Sequence, residues 1–94
     1  MDFDGKILLL NPDFVFREEE NGALLFNPKT NALHCVNPVG AFICRLCDGK
    51  KSIDQITRGL FEEFDIGGNR DGVIKDIEDF VNKMINLNLL LARG

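Results

Sequence analysis

Two helix starts stand close together in the middle of the sequence. Asn37 is a favourable N-cap and is followed by a proline, whose missing N–H costs nothing at the first helical position. Gly49 can adopt the left-handed conformation that ends a helix, and Ser52 with Gln55 forms the capping-box pattern that begins another. The sequence therefore predicts two short helices separated by a brief turn.

Three short strands are predicted upstream of these helices. Aromatic residues alternate along residues 14–17, and Asn21-Gly22 is a strong hairpin signal before the apolar residues 23–26. Turn-forming residues at 27–31 then lead to a third strand, Ala32–Val36. We predict an antiparallel meander whose third strand lies at the sheet edge, with backbone groups free to pair.

A third amphipathic helix is predicted over residues 71–87, after a flexible linker at residues 67–69. Its apolar positions cover about 160° of the helix surface, whereas a helix packed on one core needs roughly 100°. The surplus either lines a groove or is covered by the apolar segment 7–10. Asn88 suits the left-handed residue that ends this helix, and residues 89–91 are predicted as a short strand against segment 7–10.

The order of these elements predicts an α+β fold of winged-helix type. It comprises a three-stranded antiparallel sheet followed by three helices, in a single domain over residues 1–94. The apolar face of the first helix is formed by Val39, Phe42, Ile43 and Leu46. A chain of this length forms one core but leaves little room for an enclosed substrate cavity, so an elaborate active site is not expected.

The charge of the chain argues against a nucleic-acid partner. There are 15 acidic and 11 basic side chains, which give a net charge of −4. Phosphate backbones repel such a surface unless a local basic stripe overrides it, and the sequence has no such stripe. A winged-helix DNA-binding module, or another protein-interaction module, stays open as the alternative that the topology suggests.

Hydropathy and the N-terminal residues predict a cytoplasmic protein that has no membrane contact. The acidic N-terminus lacks the basic start and the cleavage pattern of a secretory signal. The longest apolar runs, residues 7–10 and 89–92, are far shorter than the roughly 20 residues that a membrane span needs. The odd number of cysteines, 3, favours free thiols in a reducing compartment.

Cys44 and Cys47 have the spacing of zinc and redox sites, and His34 and Cys35 lie upstream. The pair is predicted near the C-terminal end of one helix, whereas an activated thiol is expected at a helix N-terminus. We therefore interpret the three cysteines as small buried core residues and His34 as a surface residue of its strand. A small zinc-binding protein is the less favoured alternative, and neither a catalytic motif nor a bound cofactor is expected.

Four fragments of the sequence together resemble a known family. Val36–Ala41, Leu46–Gly49, Ile53–Ile56 and Asp76–Val81 occur in the order and at the spacing of the PqqD family, small proteins related to the pyrroloquinoline quinone biosynthesis protein D. The resemblance covers roughly residues 11–91. It implies a non-catalytic recognition domain that binds the leader segment of a ribosomally made precursor peptide. Such a domain delivers the peptide to a modifying enzyme, commonly a radical SAM protein.

The resemblance also implies where a peptide binds. In that family the leader adds a strand to the third strand and rests against the third helix, which correspond here to Ala32–Val36 and residues 71–87. The predicted strand contacts are Ala32, Leu33, His34, Cys35 and Val36. The predicted helix wall is Ile74, Glu78, Val81 and Ile85, with the opposite edge, Phe80 and Leu87, as the alternative. The sequence leaves open the precursor, the enzyme, and whether the protein is a monomer or a homodimer.

Overall fold

Two small antiparallel sheets and three helices are present in the computed structural model, which describes residues 5–64 and 70–93. The elements in chain order are β1 (Ile7–Leu10), β2 (Val15–Glu19), β3 (Gly22–Asn27), β4 (Ala32–Val36), α1 (Pro38–Leu46), β5 (Asp48–Ser52), α2 (Ile53–Glu63), α3 (Arg70–Asn86) and β6 (Leu90–Arg93). The predicted α+β class is confirmed, and a second sheet accompanies the predicted one.

The predicted meander is formed by β2, β3 and β4, with β3 in the centre. Gly22 follows the tight turn between β2 and β3 at a φ of +138°, a conformation that side-chain-bearing residues rarely adopt. A Cβ at this position would overlap the carbonyl oxygen of Val36 on β4. Glycine is therefore required both for the turn and for the close approach of β4.

The second sheet has the order β5-β1-β6. The predicted pairing of the strand near the C-terminus with segment 7–10 is confirmed. In the β1–β6 pair, Leu10 lies opposite Leu90 and Ile7 lies opposite Arg93. The prediction that Gly49 belongs to a turn closing α1 is wrong. Gly49 is left-handed, with a φ of +82°, but it lies within β5, which pairs with β1 through an irregular register.

The helix starts are where the capping patterns place them. The Asn37 side chain accepts a hydrogen bond from the Gly40 N–H at 2.7 Å. The Ser52 hydroxyl accepts from the Gln55 N–H at 3.3 Å, and the Gln55 side chain accepts from the Ser52 N–H at 2.8 Å, which completes the capping box. The predicted glycine linker at residues 67–69 lies outside the described residues.

All three helices and both sheets contribute to one hydrophobic core. Its fully buried side chains include Leu8, Leu25, Ile43, Ile56, Leu60, Val81, Leu89 and Leu90. Each such side chain contributes about 1.5–3 kcal/mol to the free energy of folding. Within residues 5–64 and 70–93, no helix combines the length and the apolar character needed to cross a membrane.

Candidate functional site

One edge of the meander sheet is suited to pairing with another strand. Within the described part of the chain, β4 pairs with β3 alone, and its sequence contains no charged residue. The other edge, β2, carries Arg17, Glu18 and Glu19, and charged side chains discourage strand addition. Of the two edges of this sheet, β4 is therefore the one that is less protected against pairing with another strand.

The contact between Gly22 and Val36 fixes the direction of the β4 backbone groups. Because the Val36 carbonyl oxygen lies against Gly22, the polar groups of Val36 face β3. Successive residues of an antiparallel ladder point their polar groups to opposite sides. The N–H and C=O groups of Leu33 and Cys35 therefore point to the open edge.

The side chains of β4 alternate between two environments. Leu33 and Cys35 are exposed on the outer face of the sheet, and Leu33 retains 57% of its accessible surface. His34 is half-buried on the inner face, where its ring centroid lies 6.2 Å from that of Phe14. The prediction that Cys35 is buried is wrong, because it shares the outward face of Leu33. His34 was predicted to be a surface residue, but its side chain is half-buried.

The end of β4 meets α3 across the first turn of α1. A Cβ at Gly40 would lie 3.0 Å from the Phe80 ring and 3.1 Å from the Cβ of Val36. The absence of a side chain at Gly40 therefore lets Phe80 of α3 approach β4 closely.

A cavity of about 370 Å³ lies beside this junction, and we call it the α1–α3 groove. It begins at Asn37, the residue after β4, and its other lining residues are Val39, Gly40, Ile43, Leu60, Val73, Asp76, Ile77 and Phe80. Most of these side chains are apolar, whereas Asp76 is exposed. The groove is therefore an apolar depression with one acidic side chain, next to the C-terminal end of β4.

The structure separates the residues that the sequence grouped as a helix wall. Val81 is fully buried in the core, and Ile85 is half-buried against it. Ile74 and Glu78 line a different cavity, between α2 and α3. Phe80 instead lies beside Val36 and lines the α1–α3 groove. The edge of α3 next to β4 is therefore the alternative edge, and Val81 is not available at the surface.

The cavity between α2 and α3 has a volume of about 350 Å³ and a mixed lining. The Arg70 guanidinium lies 4.4 Å from the centroid of the Phe61 ring, in cation–π contact. Asp54, Arg58 and Glu78 supply further charges. Neither β4 nor Asn37, the residue that follows it, lines this cavity, whereas Asn37 lines the α1–α3 groove; we therefore treat it as separate from the strand-edge site.

The sequence analysis placed one residue of the α1–α3 groove on the wrong face and gave another no role. Val39 was assigned to the buried face of α1, but it is 41% exposed and lines the groove. Asp76 lies in one of the four fragments that resemble the PqqD family, but the sequence analysis gave it no role, because its place in the groove depends on the packing of α3 against α1. The wide apolar stripe of α3 was the one signal in the sequence that pointed to a groove.

Cys44 and Cys47 are buried side chains of the core. Desolvation raises the pKa of Cys44 from 9.0 to about 12, and burial raises the pKa of Cys47 still further. Burial thus disfavours the thiolate that metal binding and redox chemistry require. Among the described residues, no group of three or more His, Cys, Asp or Glu side chains is placed to hold a metal ion.

These features define a class of protein: a small α+β domain in which an open edge strand, without Asp, Glu, Lys or Arg, ends at an apolar groove. The chain belongs to the PqqD family, whose model, described as Coenzyme PQQ synthesis protein D, matches residues 22–90. The match includes all of β4 and every lining residue of the α1–α3 groove. The resemblance inferred from the sequence is therefore confirmed.

Two solved structures have a similar fold. The structure of TbiB1 in complex with the TbiA(beta) leader peptide has a TM-score of 0.74 and 22% identity, and the alignment covers 87% of this chain and 93% of that chain. The heterocyclase TruD has a TM-score of 0.66 and 15% identity, covering 93% of this chain but only 11% of that chain. No curated protein sequence matches the chain.

Proposed function

We propose that this protein is a non-catalytic adaptor that binds the leader segment of a ribosomally synthesised precursor peptide. It then presents the peptide to a modifying enzyme, for which a radical SAM enzyme is our candidate. Membership of the PqqD family supports this proposal, as does the similar fold of TbiB1, a protein solved in complex with a leader peptide.

The observation that carries the proposal is the open edge of β4 beside the α1–α3 groove. A peptide that adds a strand forms backbone hydrogen bonds with the edge, and its alternate side chains enter neighbouring pockets. In the proposed complex, Leu33 and Cys35 supply the backbone groups, while Ala32, His34 and Val36 line the inner side. Side chains on that inner side approach Phe80 and the groove.

The helix wall of the proposed site is the edge of α3 on which Val73 and Phe80 are partly exposed. Phe80 and Leu87 formed the alternative edge in the sequence analysis, and Leu87 is 42% exposed. Ile74 and Glu78 lie in the cavity between α2 and α3, so we assign them no peptide contact.

Replacing Leu33 by proline tests strand addition. The Leu33 N–H points to the open edge, so Leu33→Pro removes a donor for the added strand without removing a bond to β3. We expect the variant to stay folded and its peptide affinity to fall about tenfold, because one backbone hydrogen bond is lost and the proline ring obstructs the edge. Affinity is measured by NMR titration of the labelled protein with synthetic peptides covering the small open reading frames beside its gene.

Leu33→Ala is the matched control, because it shortens the same side chain but keeps the backbone N–H. Amide shifts along Ala32–Val36 and along α3 are expected for both the wild-type protein and this control. A folded Leu33→Pro variant that binds the same peptide with unchanged affinity would refute strand addition at β4.

A further inference from the structure

We infer that the α1–α3 groove selects a peptide segment in which an apolar residue lies two positions from a lysine or arginine, and that Asp76 recognises the basic side chain. The inference rests on the proposed function, since it concerns the same peptide. It specifies the chemistry of the segment that this chain accepts.

The apolar part of the segment is defined by the groove walls. Val39, Val73 and Phe80 surround a space of about 370 Å³ that accommodates an apolar side chain the size of leucine or phenylalanine. Val39 remains 41% exposed, so the groove wall keeps apolar surface in contact with water. Covering this surface with an apolar side chain contributes about 25 cal/mol per Å² removed from water.

The basic part of the segment is defined by Asp76. The ion pairs between described residues are Arg17–Glu19, Lys29–Asp13, Arg45–Glu18 and Lys51–Asp48, none of which includes Asp76. The N-terminus of α1, which borders the same groove, carries a partial positive charge of only about half a unit. Its Gly40 N–H is already bonded to Asn37 at 2.7 Å. The full charge of Asp76 therefore dominates the groove and favours a cationic side chain.

The spacing follows from the geometry of a strand next to a helix. Side chains on one face of an extended peptide recur every second residue, about 6.6 Å apart. Asp76 precedes Phe80 by four residues, which corresponds to roughly 6 Å along the helix axis. When an apolar side chain of the peptide packs against Phe80, the peptide side chain two positions away therefore lies within reach of the Asp76 carboxylate.

Selection from a phage-displayed library of random peptides tests this inference. The wild-type protein is expected to enrich sequences with the apolar-x-basic pattern or its reverse, whereas Asp76→Lys protein is expected to enrich Asp or Glu at the basic position. One enriched peptide is then measured by fluorescence anisotropy. Asp76→Asn should weaken its binding about two- to fivefold at low salt, with a smaller effect at high salt.

Asp79→Asn is the matched control, because Asp79 is exposed on the same helix but does not line the groove. It should leave the affinity unchanged. If Asp76→Lys protein retains the preference for a basic residue, or if the wild-type protein shows no charge preference, the inference is refuted. If the inference is refuted but the enriched peptides still lose affinity in Leu33→Pro protein, the proposed function stands without the inference. If the wild-type protein enriches no peptide, both proposals fail.

Discussion

At the scale of single residues, Asn11 links the turn after α3 to the segment before β2. It is 5% exposed and follows β1 directly. Its side-chain nitrogen donates to the Asn88 carbonyl oxygen at 2.7 Å, and its side-chain oxygen accepts from the Asp13 N–H at 3.0 Å. Asn88 is left-handed, with a φ of +64°, as predicted for the end of α3. Asn11 thus holds the turn between α3 and β6 against the segment that leads to β2.

Replacing Asn11 by alanine should lower the free energy of unfolding by about 1–3 kcal/mol. The reason is that a partly buried carbonyl and a partly buried N–H lose their partner. Urea denaturation measures the loss. Asn27→Ala is the control, because the Asn27 side chain accepts one exposed hydrogen bond from the Lys29 N–H, at 2.9 Å, and should cost less. Equal losses in the two variants would contradict a linking role for Asn11.

At the scale of elements, the sequence predicted what local patterns determine. The hairpin signal and the Asn37 cap located β4 and its open edge, and the capping box located the start of α2. The strand β5 was not predicted, because its sequence, DGKKS, has the composition of a turn. It is a strand because β1 lies beside it and pairs through the backbone, a long-range contact that local patterns do not contain.

The same distinction applies to the site on α3. Periodicity gave the width of the apolar stripe, but it left open whether the surplus lines a groove or is covered by the segment 7–10. It could not decide which edge faces β4, since that depends on how α3 crosses α1. The close approach of the Phe80 ring to Gly40 places Phe80 at the junction with α1, whereas Ile74 lines the cavity between α2 and α3.

Gly40 is therefore a sensitive position of the junction between α1, β4 and α3. In Gly40→Ala protein the new Cβ, 3.0 Å from the Phe80 ring, should displace that ring into the α1–α3 groove. We expect peptide affinity to fall several-fold while the free energy of unfolding stays within about 1 kcal/mol of the wild-type value, because alanine favours the helix. Fluorescence anisotropy with the selected peptide and urea denaturation measure the two effects.

A second helical glycine supplies the control for this substitution. In Gly59→Ala protein the new Cβ would lie 3.2 Å from the end of the Leu46 side chain, which can move aside. The substitution should leave peptide affinity unchanged and raise stability by up to about 1 kcal/mol. Wild-type affinity in Gly40→Ala protein would show that the position of Phe80 does not control the groove.

At the scale of the whole molecule, the buried thiols make global stability depend on alkaline pH. Cys44 and Cys47 lie in the core that joins the helices to both sheets, and burial raises the pKa of each thiol above 9.0. In the unfolded chain these thiols ionise as the pH passes about 9, whereas in the folded protein they stay protonated. The folded state then binds more protons than the unfolded state, so stability is fully present below pH 9 and is lost above it.

Each thiol should therefore lower the free energy of unfolding by about 1.4 kcal/mol per pH unit between about pH 9 and pH 12. Urea denaturation at a series of pH values measures the slope. Because lysines also titrate in this range, the informative quantity is the difference between the wild-type protein and Cys44→Ala protein, in which one buried thiol's share of the slope should be removed. Equal slopes in wild-type and Cys44→Ala protein would mean that water reaches the Cys44 thiol in the folded state, and that the core is more open than its packing indicates.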